Sequence, residues 1–104
     1  MKIEMLMWHD SAWGDYLYWQ SQDKKTLKRI NLLLKEIARE PYAGTGKPEA
    51  LKGNLSGFWS RRIDAQNCLV SRIVGEGCQI AQCRGQLVRT RMPSTRHHFQ
   101  SERL

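Results

Sequence analysis

Polar and apolar positions change period along the first forty residues. Residues 2–8, Lys-Ile-Glu-Met-Leu-Met-Trp, alternate in part, as a strand does. Asp10 or Ser11 suits a helix N-cap. Beyond it, Trp13, Tyr16, Leu17 and Gln20 fall on helical spacing, although Gly14 costs such a helix about 1 kcal/mol relative to alanine. Asp23 is the expected cap of a second helix. Its apolar stripe is Leu27, Ile30, Leu33, Leu34 and Ile37, and Lys24, Lys25, Lys28, Arg29 and Lys35 lie largely off it. Pro41 ends the helix, because the residue before a proline disfavours the α region.

A Gly/Pro loop follows at 42–48. Three strand-like runs come next, Gly57–Ile63, Cys68–Val74 and Cys78–Arg84, separated by turns of hairpin length at 64–67 and 75–77. A strand, two helices and a meander of strands predict an α+β domain, with helices on one face of a mainly antiparallel sheet. From Val88 the pattern dissolves. Residues 88–104 read as a flexible C-terminal extension, with a short helix around Thr95–Arg103 as an alternative, and residues 1–87 as the folded domain.

Composition narrows the class. A chain of 104 residues builds one core. Apolar runs stop at four residues, such as Met5–Trp8, against roughly 20 for a membrane helix. Three cysteines, Cys68, Cys78 and Cys83, contain no CxxC pair, so neither a disulfide framework nor a zinc site is expected, and a cytoplasmic location is. No cofactor or metal is called for. The net charge is +7, which favours an anionic partner, either nucleic acid or an acidic protein. Residues 1–40 carry seven Lys+Arg against six Asp+Glu; residues 41–104 carry ten against four. The basic excess therefore belongs to the second part of the chain.

Candidate chemistry gathers in Lys47-Pro48-Glu49-Ala50-Leu51-Lys52 and Gly57-Phe58-Trp59-Ser60-Arg61-Arg62. Metal-independent RNA cleavage needs a base for the ribose 2′-OH, cations around the scissile phosphate, and an acid for the departing 5′-oxygen. Glu49 suits the base, and Lys52, Arg61 and Arg62 suit the phosphate. An exposed ion pair is the plainer reading of Glu49. Arg61 and Arg62 point to opposite faces of a strand, so one of them aims into any given site. Trp59 is either a platform for a base or a core tryptophan.

Trp13-Gly14-Asp15-Tyr16-Leu17-Tyr18-Trp19-Gln20, Gly46-Lys47-Pro48-Glu49-Ala50-Leu51-Lys52 and Asn54-Leu55-Ser56-Gly57-Phe58-Trp59-Ser60-Arg61-Arg62-Ile63 together resemble the YoeB toxins of the RelE/ParE superfamily. The likeness continues more loosely through Ile80-Ala81-Gln82-Cys83-Arg84-Gly85 and covers about residues 1–87. It implies a compact RelE-like fold, metal-independent cleavage of mRNA in the ribosomal A site, and neutralisation by an acidic YefM-like antitoxin. It implies that Glu49 is the general base and that Lys52 and Arg62 are active-site cations. Arg61, Trp59 and Arg84 are expected at the RNA, and a homodimer is a further candidate assembly.

The departures from the family pattern bear on activity. Where the family reads Arg-Leu-Val-Tyr, this chain has Cys68-Leu69-Val70-Ser71. Where the family ends in His-Tyr, it has Gln86-Leu87 and continues for 17 residues. Glutamine is no acid, and a neutral thiol lacks the charge and fork of a guanidinium. Cys68 is then a small apolar substitute. His97 or His98 in the extension is a remote replacement for the acid. Three readings follow: an attenuated endoribonuclease, a degenerate toxin that only binds antitoxin or ribosome, and a basic nucleic-acid-binding domain unrelated to toxins.

Overall fold

Asp23 ends one helix and begins the next. Its backbone N–H donates to Trp19 O at 3.0 Å, closing α1 (Asp10–Gln22). Its carboxylate accepts from the N–H groups of Lys25 and Thr26 and from the Thr26 hydroxyl, at 3.1, 3.2 and 2.9 Å, opening α2 (Lys24–Arg39). These bonds satisfy amide donors that a helix start leaves unpaired, and they hold the Asp23 carboxyl below its usual pKa. The computed structural model describes residues 3–87.

The other elements are strands β1 (Met5–Trp8), β2 (Glu49–Ala50), β3 (Trp59–Arg62), β4 (Cys68–Val74) and β5 (Gly77–Gln82), with a single 3₁₀ turn at Gly53–Leu55. They form one sheet in the order β1-β5-β4-β3-β2. β1 runs parallel to β5 and the remaining pairs are antiparallel. The α+β architecture expected from the sequence is the one found. The expected extension at 88–104 and the alternative helix at 95–103 lie outside the described residues.

Each face of the sheet has its own core. Ile30, Leu33 and Ile37 of α2 pack on Leu69, Cys78 and Ile80, with Ala12 and Trp19 of α1 in the same cluster. On the other face Leu51, Leu55, Phe58 and Val70 form a second cluster, with Ala81 and Leu87 packed against it. The stripe on α2 buries as its spacing predicts. Helix α1 differs: Trp13 and Leu17 are exposed, and Ala12 and Trp19 are the buried pair. Two contacts set this rotation. Trp19 Nε1 donates to Cys83 O at 2.9 Å, and Cys83 Sγ reaches Ala12 O at 3.6 Å, a close approach that the small alanine permits. The cap position of α1 is His9, without a side-chain cap bond, rather than Asp10 or Ser11.

Candidate active site

Strand register decides which side chains share a face. Glu49 pairs with Ser60 and Ser60 with Val70; Arg62 pairs with Cys68. Residues directly opposite in an antiparallel pair point the same way. Val70 belongs to the cluster away from the helices. Glu49, Ser60, Arg62 and Cys68 therefore lie on the helix-free face. A cleft of about 360 Å³ opens there, lined by Glu49, Lys52, Leu55 and Leu87 among others. Glu49, Lys52 and Arg62 are exposed, so a carboxylate and two cations reach solvent on one surface.

Two of the substituted positions, Cys68 and Gln86, come close through the backbone. Cys68 N donates to Gly85 O at 2.9 Å, and Gly85 N donates to Asn67 Oδ1 at 2.7 Å. These bonds lay residues 85–87 along the start of β4, so Gln86 follows immediately on the residue bonded to Cys68. Gln82 Nε2 reaches Gly85 O at 2.9 Å and Gln86 O at 3.4 Å. Position 86 thus adjoins the residue bonded to Cys68, which is itself the register partner of Arg62.

Three residues expected at the RNA lie elsewhere. Arg61 is 2% exposed and points to the helix side with Leu69, its register partner. Its guanidinium donates to Thr45 O, Glu40 O and Ala43 O, at 3.0, 2.7 and 2.6 Å, and lies 3.6 Å from Glu36. It clamps the 40–48 loop and is not available to a phosphate. Trp59 alternates to the same side, half-buried, with its ring 4.8 Å from that of Tyr42. Arg84 sits over the Tyr18 ring of α1 at 3.6 Å, away from the cleft.

The clamp has consequences for Glu49. Glu36 accepts from Thr45 N at 2.9 Å and from the Thr45 hydroxyl at 2.7 Å, and these bonds hold its carboxyl below the ordinary range. Arg62 N donates to Gly46 O at 2.7 Å. A side chain at Gly46 would meet Arg62 O at 3.1 Å, and its φ of +89° suits glycine. The two-residue strand β2 starts three residues later, so the loop supplies much of what holds Glu49 in place. Sequence reasoning missed Glu36 and Thr45; Thr45 between two glycines was the available signal.

The remaining thiols are remote from this chemistry. Burial, with Asp15 adding to it, pushes the Cys83 thiol up to about 12, and burial raises that of Cys78. Asp15, half-buried beneath Arg84, is itself raised by burial. Among the described residues no helix is long and apolar enough to cross a membrane.

The chain is similar to known proteins in sequence and in fold. A family model for the YoeB-like toxin of bacterial type II toxin-antitoxin systems matches residues 8–86. Toxin YoeB of Escherichia coli (strain K12) is 52% identical over 79 residues, which are 76% of this chain and 94% of that one. The solved YoeB/ParE toxin from Agrobacterium tumefaciens aligns with a TM-score of 0.79 at 42% identity, covering 81% of this chain and all of that one (100%). A Staphylococcus aureus relative is also among the similar solved structures. Its YoeB-YefM complex gives a TM-score of 0.76 at 39% identity, covering 84% of this chain and 100% of that one. Its YoeB dimer gives 0.77 at 40%, with the same coverage of 84% and 100%.

Proposed function

The chain belongs to the family of YoeB-like toxins of bacterial type II toxin-antitoxin systems, and from that premise we propose that it is an attenuated endoribonuclease, cleaving mRNA in the ribosomal A site without a metal. The observation that carries this reading is the shared face of Glu49, Lys52 and Arg62 beside the cleft. Glu49 takes the proton of the ribose 2′-OH as that oxygen attacks phosphorus. Lys52 and Arg62 offset the charge that builds on the phosphate. The bond to the 5′-oxygen breaks, leaving a 2′,3′-cyclic phosphate, and the leaving oxygen must gain a proton.

The last two requirements are weakly met in this chain. Losing a phosphate-stabilising donor costs about 10²–10³ in rate, and losing an acid about 10²–10⁴. Cys68 and Gln86 occupy the corresponding positions, so the leaving oxygen takes its proton from water or from the ribosome. An acidic segment of a YefM-like antitoxin is the proposed inhibitor, seated on the basic face. A homodimer, as solved for the S. aureus relative, is the proposed free form.

The test is cleavage of mRNA on programmed ribosomes by purified protein. Slow A-site cleavage that Glu49→Ala abolishes supports the proposal. Cleavage equal in both proteins, or absent from both, contradicts it. The second reading, a toxin that binds without cutting, is favoured by the adjacency of Cys68 and Gln86, which removes donor and acid from one spot. It predicts ribosome or antitoxin binding with no Glu49-dependent product.

A further inference from the structure

The helix-free face extends past the Glu49 row. Arg72 alternates with Cys68 and Val70 along β4, so it points to that same face. Its register partner is Gln79 on β5. On the other side, the pairing of Trp59 with Ser71 brings Phe58 alongside Arg72, and Leu51 N donates to Phe58 O at 3.0 Å. Leu51, Phe58 and Arg72 therefore make a row directly beside the row of Glu49, Ser60 and Val70. On strand spacings, Arg72 and Cys68 stand at similar distances from Glu49, roughly 12 Å between Cα atoms, on opposite sides of its row. A guanidinium lies to one side of the base, and the substituted thiol to the other.

Arg72 is held in place rather than waving in solvent. Its Nε donates to Gln79 Oε1 at 2.9 Å, and its guanidinium carbon sits 4.8 Å above the Phe58 ring. Phe58 is buried in the cluster that floors the cleft. The His9 ring lies edge-on to the same ring at 6.4 Å. The Nε bond leaves both terminal nitrogens of Arg72 without a hydrogen-bond partner among the described residues, and no carboxylate there lies within salt-bridge distance. A fixed, half-buried guanidinium with its fork unused is a preset phosphate binder.

We infer that Arg72 binds a phosphate flanking the scissile one, forming a second cationic subsite on the far side of Glu49 from Cys68. The inference rests on the reading of this face as an RNA site. It places the RNA backbone across β4, anchored at Arg62 on one side of Glu49 and at Arg72 on the other.

The experiment titrates a short fluorescein-labelled oligouridylate with the full chain at several potassium chloride concentrations, reading anisotropy. Arg72→Gln should weaken binding about ten-fold and make the slope of log K against log salt shallower by about 0.7, the loss of one single-strand phosphate contact. Arg72→Met, which keeps an apolar stem over Phe58, should do the same. Arg72→Lys should retain the slope. If the Gln and Met variants melt with wild type and bind as wild type does, the inference is overturned. If one variant fails to fold, the other decides. Arg62→Gln is the reference: should it weaken binding while Arg72→Gln leaves it unchanged, the inference alone fails. Should the wild type not bind RNA, the reading of the face fails with it. Should Arg72→Gln spare RNA but weaken an acidic antitoxin peptide, Arg72 is a contact for the inhibitor and the inference is overturned.

Discussion

Three carbonyl oxygens and one carboxylate converge on the Arg61 guanidinium, more than a shorter side chain with a single ammonium can reach. Arg61→Lys supplies a single ammonium without the planar fork, removing at least one charge-assisted bond to a part-buried carbonyl at a cost of about 1 kcal/mol. Urea denaturation should show that loss, whereas Arg62→Lys on the exposed face should change stability by less than about 0.5 kcal/mol. From the sequence, alternation established that Arg61 and Arg62 diverge; it did not establish which one faces the cleft. That choice depends on register with β4, and so on pairing with residues six to eight positions along the chain. Glu36 adds a pH dependence. Its pKa is lower in the folded chain than the ordinary 4.5, so its stabilising contribution is present at neutral pH. That contribution disappears as pH falls through the folded pKa. Glu36→Gln should lower stability at pH 7 and narrow the difference from wild type in acid, read as melting temperature against pH.

At the scale of elements, α2 was readable because its stripe is strict and its cap is an aspartate. Asp23→Ala removes the cap of α2 and should lower the melting temperature with the same fold by circular dichroism. Helix α1 resisted the same reading because apolar side chains surround it, with Trp13 and Leu17 outward and Trp19 inward. What orients it is a bond from Trp19 to Cys83, 64 positions away, which no local period encodes. Strand β2 was also invisible: two residues are too few for a pattern. Its position depends on the 40–48 loop, and Gly46→Ala should disturb it, because the new Cβ would press on the Arg62 backbone. The expected result is weakened RNA binding together with loss of the Arg62 N–H to Gly46 O bond, seen as faster amide exchange at Arg62.

Across the whole molecule, the +7 charge is a poor guide to the site. Arg61 and Arg84 are committed to the loop and to Tyr18, and Arg89, Arg91, Arg96 and Arg103 fall beyond the described residues. Among the described residues, Arg62 and Arg72 are cations that the sheet directs to the helix-free face, and Lys52 lines the cleft there. The three thiols report on the packing of the whole. Cys78 and Cys83 are fully buried and Cys68 is half-buried, so a thiol reagent should label one site in the native chain and three after unfolding. On the proposed mechanism Glu49 still serves as the base on this face, while Cys68 and Gln86 leave the donor and the acid missing. The direct measurement is the rate of A-site mRNA cleavage on programmed ribosomes by wild type, by Cys68→Arg/Gln86→His, and by that double variant carrying Glu49→Ala. The expected result is slow cleavage by wild type, a gain of at least about 10² in the double variant, and loss of that gain when Glu49 is removed. A double variant that folds and cuts no faster than wild type, or one whose gain survives Glu49→Ala, would contradict it.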